Sequence, residues 1–166
     1  MVILLSILLR VECNLINIED VTLKRLHVHE VKGIMAHVQA LWDEVDQRDS
    51  MMSLDPDYAL YELLEAQNHW FFYTAELEGK LSLYSFLIQP SLHVKGTKQL
   101  TSDFIYVDPE HRGKGVAEVL LMASEDIAKK EGVKVMSLTL KEFDKHDKLV
   151  DKMGYTHYEN IYQRII

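Results

Sequence analysis

A single cysteine, Cys13, excludes any internal disulfide and leaves no thiol pair for metal or redox work. One thiol alone suits a reducing, cytoplasmic setting. Basic charge is also scarce. The formal net charge is −8, and residues 1–94 hold 6 Lys/Arg against 14 Asp/Glu while residues 95–166 hold 12 of each. The acidic excess therefore lies wholly in the first part of the chain. A nucleic-acid binder would show a basic face, so nucleic acid is not an expected partner and a cationic one is easier to accommodate. No apolar run reaches the roughly 20 residues of a membrane span, and the longest, Met1–Leu9, soon meets Arg10 and Glu12. It also lacks the basic start and small-residue cleavage site of a secretory signal. Residues 1–19 read as an extension, either an added strand or helix or upstream reading frame, and no membrane partner is expected. Only three prolines occur, with no repeat, linker or low-complexity tract, so one domain over 1–166 is expected, its 48% apolar residues enough for a sizeable core.

Several catalytic signatures are missing as well. Gly-x-Ser-x-Gly is absent, and so is any inferable Ser-His-Asp arrangement. The phosphate-binding Gly-x-x-x-x-Gly-Lys-Ser/Thr is not found, and the glycine spacing does not fit the dinucleotide fingerprint. Eight histidines raise a metal reading, with His27 and His29 on one strand face. No third and fourth ligand follow at suitable spacing, so no metal is expected.

What is present is one organised stretch, running from Asp103 to Leu121. Phe104 to Val107 is aromatic and β-branched, suiting a strand, and Asp108-Pro109 stops it because proline cannot donate to a ladder. From Val116 a helical stripe follows at Val116, Val119, Leu120, Ala123 and Ile127, closed by Gly132. Between them lies Arg112-Gly113-Lys114-Gly115-Val116-Ala117. Two glycines allow a tight turn and close approach to bare N–H groups, the helix start adds partial positive charge, and Arg112 and Lys114 add full charges. Such a turn suits a phosphate or pyrophosphate.

The remaining elements follow by periodicity. Val21 to His29 reads as a strand, and Val31, Ile34, Val38, Leu41 and Val45 mark a helix to about Gln47. Asp55-Pro56 starts a second helix to about Gln67 that buries Leu60, Leu63 and Leu64. Trp70 to Leu77 and Leu81 to Ile88 form a hairpin about Glu78-Gly79. Val133 to Leu140 is a strand, Asp144 to Met153 a helix, and Tyr155 to Tyr158 and Ile161 to Ile165 two closing strands. The order is β-α-α-β-β-β-α-β-α-β-β.

Arg112, Gly115 and Ala117 match the pattern Arg/Gln-x-x-Gly-x-Gly/Ala after a strand, and Lys152-Met-Gly-Tyr155 resembles a Lys-Leu-Gly-Phe/Tyr step. Together with the element order this resembles the GNAT superfamily of acyl-CoA N-acyltransferases over roughly residues 20–166. The resemblance implies an α+β fold of α/β/α type, whose mixed central sheet splays between its fourth and fifth strands. It implies acetyl-CoA as cosubstrate, with its pyrophosphate on Arg112, Gly113, Lys114, Gly115, Val116 and Ala117. Its pantetheine arm would run along the backbone of Ile105, Tyr106 and Val107.

Acetyl transfer to an amine then needs a polarised carbonyl, a proton acceptor and a proton for the leaving thiolate. Backbone N–H groups near Ile105–Val107 suit the first. Asp103, a few residues ahead on the same strand, is the candidate acceptor of the amine proton. Family members often carry a proton-donating tyrosine four residues ahead of the last helix's closing glycine, a place that Val150 takes here. His146, one turn earlier, is the substitute candidate, with Tyr155, Tyr158, Tyr162 or solvent as further sources. The acids of segment 43–57 (Asp43, Glu44, Asp46, Asp49, Asp55, Asp57) against Arg48 suggest a rim that draws a cationic amine. The expected function is an N-acetyltransferase acting by direct attack in a ternary complex. The rivals are a coenzyme-A-binding or interaction protein without turnover and an acidic mimic of nucleic acid. A homodimer is compatible with either.

Overall fold

The structure is a computed structural model that describes residues 20–45, 53–140 and 147–159. A five-stranded sheet forms among these residues, with order β1-β2-β3-β4-β5. The strands are β1 (Thr22–Leu26), β2 (Trp70–Leu77), β3 (Lys80–Pro90), β4 (Lys98–Tyr106) and β5 (Val133–Ser137). Neighbours from β1 to β4 run antiparallel, and β4 and β5 run parallel. The helices are α1 (Val28–Val31), α2 (Met35–Val45), α3 (Tyr58–Ala66), α4 (Val116–Glu131) and α5 (Asp147–Lys152).

Both sheet faces are covered, which is why β2 and β3 are apolar on both. Leu120 and Leu121 of α4 pack on Phe71, Tyr84 and Phe86 on one side. On the other, Val28, Val31 and Val38 pack on Trp70, Phe72 and Leu83. The β2–β3 hairpin turns at Glu78 (φ 50) and Gly79 (φ 78), a double positive-φ turn whose twist matches its strands.

Two features of β4 shape everything that follows. Its pairing with β5 runs from Lys98/Val133 to Thr101/Ser137 and then stops, while β4 continues to Tyr106. The Thr139 N–H still reaches Ser102 Oγ at 2.7 Å, and beyond it the strands part. This is the expected splay. In addition, the β3 ladder pairs Phe86 with Ser102 and Ser85 with Phe104, so Asp103 is an extra, unpaired residue in a bulge.

Local expectations needed correction at several points. The first strand ends at Leu26, so His27 precedes α1 and His29 lies within it rather than on a shared strand face. The first long helix is broken by a 3₁₀ turn at Lys32–Ile34 that contains Gly33, a weak helix former. The cap of α3 is Asp57, whose Oδ1 accepts the Leu60 N–H at 3.0 Å, not Asp55. That phase turns Tyr58, Tyr61 and Leu64 inward and leaves Leu60 and Leu63 exposed. Residues 155–159 follow no regular structure where a strand was expected, and 161–165 lie outside the described residues.

Candidate active site

The bulge at Asp103 resets the alternation of β4. Leu100 before it and Ile105 and Val107 after it join the α4 side, while Phe104 and Tyr106 turn to the α1–α3 side. Asp103 and its neighbour Phe104 consequently line the same cavity, of about 100 Å³, between the sheet and α1–α3. A regular strand would have sent one of the two away.

Trp70 and Ser85 complete the polar corner of this cavity. The indole Nε1–H, which can only donate, gives a 2.9 Å bond to Ser85 Oγ. Ser85 then directs its own proton to Asp103 Oδ2 at 3.0 Å. Water reaches Asp103, yet its neighbours in the cavity are mostly apolar and aromatic. This desolvation pushes its carboxyl above the ordinary aspartate range, and the Ser85 bond only partly offsets it. Tyr61 stacks on Trp70 with centroids 4.9 Å apart. Burial, then the Asp103 charge, raise its hydroxyl above the usual tyrosine range.

A second cluster lies just beyond the end of β4. Asp108 caps a 3₁₀ turn over Pro109–His111, and Gly113 (φ 75) and Gly115 (φ 95) then swing the chain into α4. The first i to i−4 bond of α4 is Val119 N–H to Gly115 O at 3.2 Å, so the N–H groups of Val116, Ala117 and Glu118 have no acceptor within the helix. A Cβ on Gly113 would meet nothing within 4 Å, which leaves open space over the turn. Together with the unpaired edge of β4, this bare-amide turn fits an elongated diphosphate ligand. His111 is buried beneath, its Nε2 3.3 Å from Glu78 Oε2 on the hairpin turn. It ties the turn to the sheet.

Arg112 is more engaged than a free cation would be. Its Nε donates to Val107 O at 3.0 Å, and Nη2 lies 2.6 Å from Glu44 Oε1 on α2, with the Tyr106 ring nearby. The guanidinium thus joins the turn to the helix that lines the cavity.

The acids of the segment are partly spent in the same way. Glu44 pairs with Arg112, Asp57 caps α3, and Asp43 accepts from Gln39, while Asp46 and Asp49 lie outside the described residues. His146 and Tyr162 lie outside them as well. Tyr155 is half-buried, its hydroxyl pushed up to about 12 first by burial and then by the Glu125 carboxylate, and Tyr158 is 92% exposed. Among the described residues no group of three His, Cys, Asp or Glu could hold a metal. No helix among them is long and apolar enough to cross a membrane.

Periodicity assigned Trp70 and Ser85 to strands and nothing more. The one hint of a role was a pair of serines, Ser82 and Ser85, inside the otherwise apolar run 81–88.

No curated protein sequence matches this chain. Solved structures do. An aminoglycoside acetyltransferase from an uncultured soil metagenomic sample, in complex with trehalose, superposes with a TM-score of 0.69 at 15% identity, over 89% of this chain and 96% of that one. A ribosomal-protein-alanine N-acetyltransferase from Brucella melitensis biovar Abortus 2308 gives 0.63 at 22% identity, over 88% and 98%. A predicted acetyltransferase from Clostridium acetobutylicum, solved with acetyl-CoA, gives 0.66 at 12% identity, over 87% and 96%. At these identities the likeness is one of fold. The acetyltransferase (GNAT) family model matches residues 37–155, a span that runs from α2 through the bulge and the glycine turn to Tyr155, and this chain belongs to that family.

Proposed function

We propose that the protein transfers the acetyl group of acetyl-CoA to a primary amine that enters the cavity ending on Asp103. The observation that carries this reading is the placement of Asp103. It combines a bulge at the open edge of β4, a carboxylate raised by its apolar surroundings, and room beside it for an amine.

Acetyl-CoA supplies an activated thioester carbonyl and a thiolate leaving group. The N–H groups of Val116, Ala117 and Glu118 hold its diphosphate, with the Lys114 ammonium as counter-charge. The splayed edge of β4 from Ile105 through Tyr106 to Val107 offers main-chain partners to the pantetheine arm. Backbone N–H groups beside the bulge face the carbonyl oxygen as negative charge develops on it.

Asp103 attracts the incoming ammonium and takes one of its protons. A free alkylamine is almost wholly protonated at neutral pH, so the acceptor of that proton decides the rate. Desolvation narrows the pKa gap between carboxyl and ammonium, which favours the transfer. Ser85 fixes the carboxylate so that the other oxygen is left for the amine. The neutral amine attacks the carbonyl carbon and the C–N bond forms, the nitrogen gives its second proton to water, and the C–S bond breaks as the thiolate leaves. His146 or solvent returns a proton to sulfur.

The test is release of coenzyme A thiol from acetyl-CoA in the presence of a panel of primary amines. Amine-dependent, saturable release supports transfer. Acetyl-CoA binding with no release above the amine-free rate would leave the coenzyme-binding, non-catalytic reading instead.

A further inference from the structure

The face that α2 turns to the cavity is made by Met35, Val38, Leu41 and Trp42. Met35 and Val38 belong to the apolar cluster around Trp70 and Phe72, which seats the first turns of the helix. Its last turn is held differently. Glu44 stands three residues beyond Leu41, a neighbouring place on the helix surface, and there it meets Arg112. Nη2 lies 2.6 Å from Glu44 Oε1 and 2.8 Å from Oε2. The same side chain is anchored on the sheet, where Nε donates to Val107 O at 3.0 Å and the guanidinium carbon lies 5.8 Å from the centre of the Tyr106 ring. A planar fork can hold both acceptors at once. A lysine ammonium, a point charge on a flexible stem, cannot keep that geometry.

From this geometry we infer that Arg112, although it opens the glycine turn, serves the acceptor side. With Glu44 it is a positioning residue that holds the end of α2, and with it Leu41 and Trp42, as a wall of the cavity. The diphosphate falls to Lys114 and the bare amides of Val116, Ala117 and Glu118. The inference rests on the reading that this cavity takes the amine.

The physical effect is on binding. A helix end frays because its final carbonyls have no partners within the helix, and a tie to an anchored side chain limits that opening. The Arg112 and Glu44 side chains are 46% and 41% exposed, so their pair shifts an equilibrium by at most about fivefold. That is enough to change how well the wall meets an amine and too little to decide whether the chain folds. Asp103 lies on β4, so the proton transfer itself is untouched.

Four variants of the full chain form the test: Arg112→Ala, Arg112→Lys, Glu44→Ala and the double variant Arg112→Ala/Glu44→Ala, whose net charge equals that of the wild type. Hydrogen exchange of the amides of residues 41–44 should quicken about three- to fivefold in both alanine variants and no further in the double variant, because each change breaks the same pair. The KM of a primary amine that the wild type acetylates should rise by a similar factor, with kcat nearly unchanged. Arg112→Lys should show most of that rise although its charge is kept. Coenzyme A, titrated by calorimetry, should bind Arg112→Lys and the double variant within about threefold of the wild type.

A larger loss of coenzyme A affinity in the double variant would make Arg112 a diphosphate ligand and overturn the inference. Wild-type exchange or wild-type amine KM in Glu44→Ala would overturn it equally. If exchange and coenzyme A binding follow the expectation while no amine releases thiol from the wild type, the tie to α2 is upheld and the transfer reading fails instead.

Discussion

At the scale of single residues, the proposed chemistry rests on Asp103, and Ser85 holds its carboxylate. Ser85 donates to the carboxylate and so favours its charged form. Ser85→Ala removes that donor, so the Asp103 pKa should rise further and the acid limb of the kcat profile should move to higher pH. The same change leaves the buried Trp70 indole N–H without its acceptor, at a cost of about 1–3 kcal/mol. Thermal unfolding together with a pH–rate profile checks both effects. An unmoved limb would mean that Ser85 does not set the carboxylate's ionisation. Arg112 has a structural part in addition to its charge. Its bond to Glu44 is partly exposed, so a double-mutant cycle with Arg112→Ala and Glu44→Ala should give a stability coupling of only about 0–1 kcal/mol.

At the scale of elements, the glycine turn and the short helix α1 make separate predictions. Gly113 has φ 75, with open space where a methyl would project, so Gly113→Ala meets conformational strain rather than a clash. The loss should be about 1–2 kcal/mol of stability, with weaker acetyl-CoA binding read by calorimetry. In α1, the Glu30 carboxylate accepts the His27 N–H at 2.9 Å and pairs with Lys24 at 2.7 Å. The backbone bond first, then Lys24, lower its pKa from 4.5 to about 2. A lowered folded-state pKa means stability that is present above pH 4.5 and lost as the pH falls toward 2. Glu30→Gln should therefore flatten that part of the acid-denaturation curve. These elements also show what a sequence makes legible. The turn from Asp108 to Ala117 and the helix after it were readable because proline, glycine and a helical stripe are local facts. The bulge at Asp103 was not, since a one-residue slip between β3 and β4 depends on a partner strand some 18 residues away in sequence. The cap of α3 was misplaced by two residues for a related reason. Asp55-Pro56 and Asp57 are both plausible starts locally, and packing of Tyr58 and Tyr61 on the sheet decides between them.

For the molecule as a whole, the fold hangs two candidate sites on one strand, the bare-amide turn beyond the end of β4 and the cavity that Asp103 and Phe104 line. Acidic charge concentrated in residues 1–94 suggested recognition by a rim, whereas the structure gives several of those acids partners of their own and leaves Asp103 in the cavity. Acetyl-CoA at about 100 times its Kd should add roughly 2.7 kcal/mol of apparent stability to the wild-type chain. Asp103→Asn should keep that gain, because the carboxylate lines the cavity rather than the glycine turn. The decisive measurement is the pH dependence of kcat for thiol release, with acetyl-CoA and a primary amine that the wild type acetylates, in the wild type and in Asp103→Asn. Wild-type turnover should fall on the acid side as Asp103 becomes protonated, with a midpoint above the ordinary aspartate range, and the variant should lose about 10²–10⁴-fold in kcat together with that limb. A variant that keeps the wild-type rate and its acid limb would contradict the assignment of Asp103.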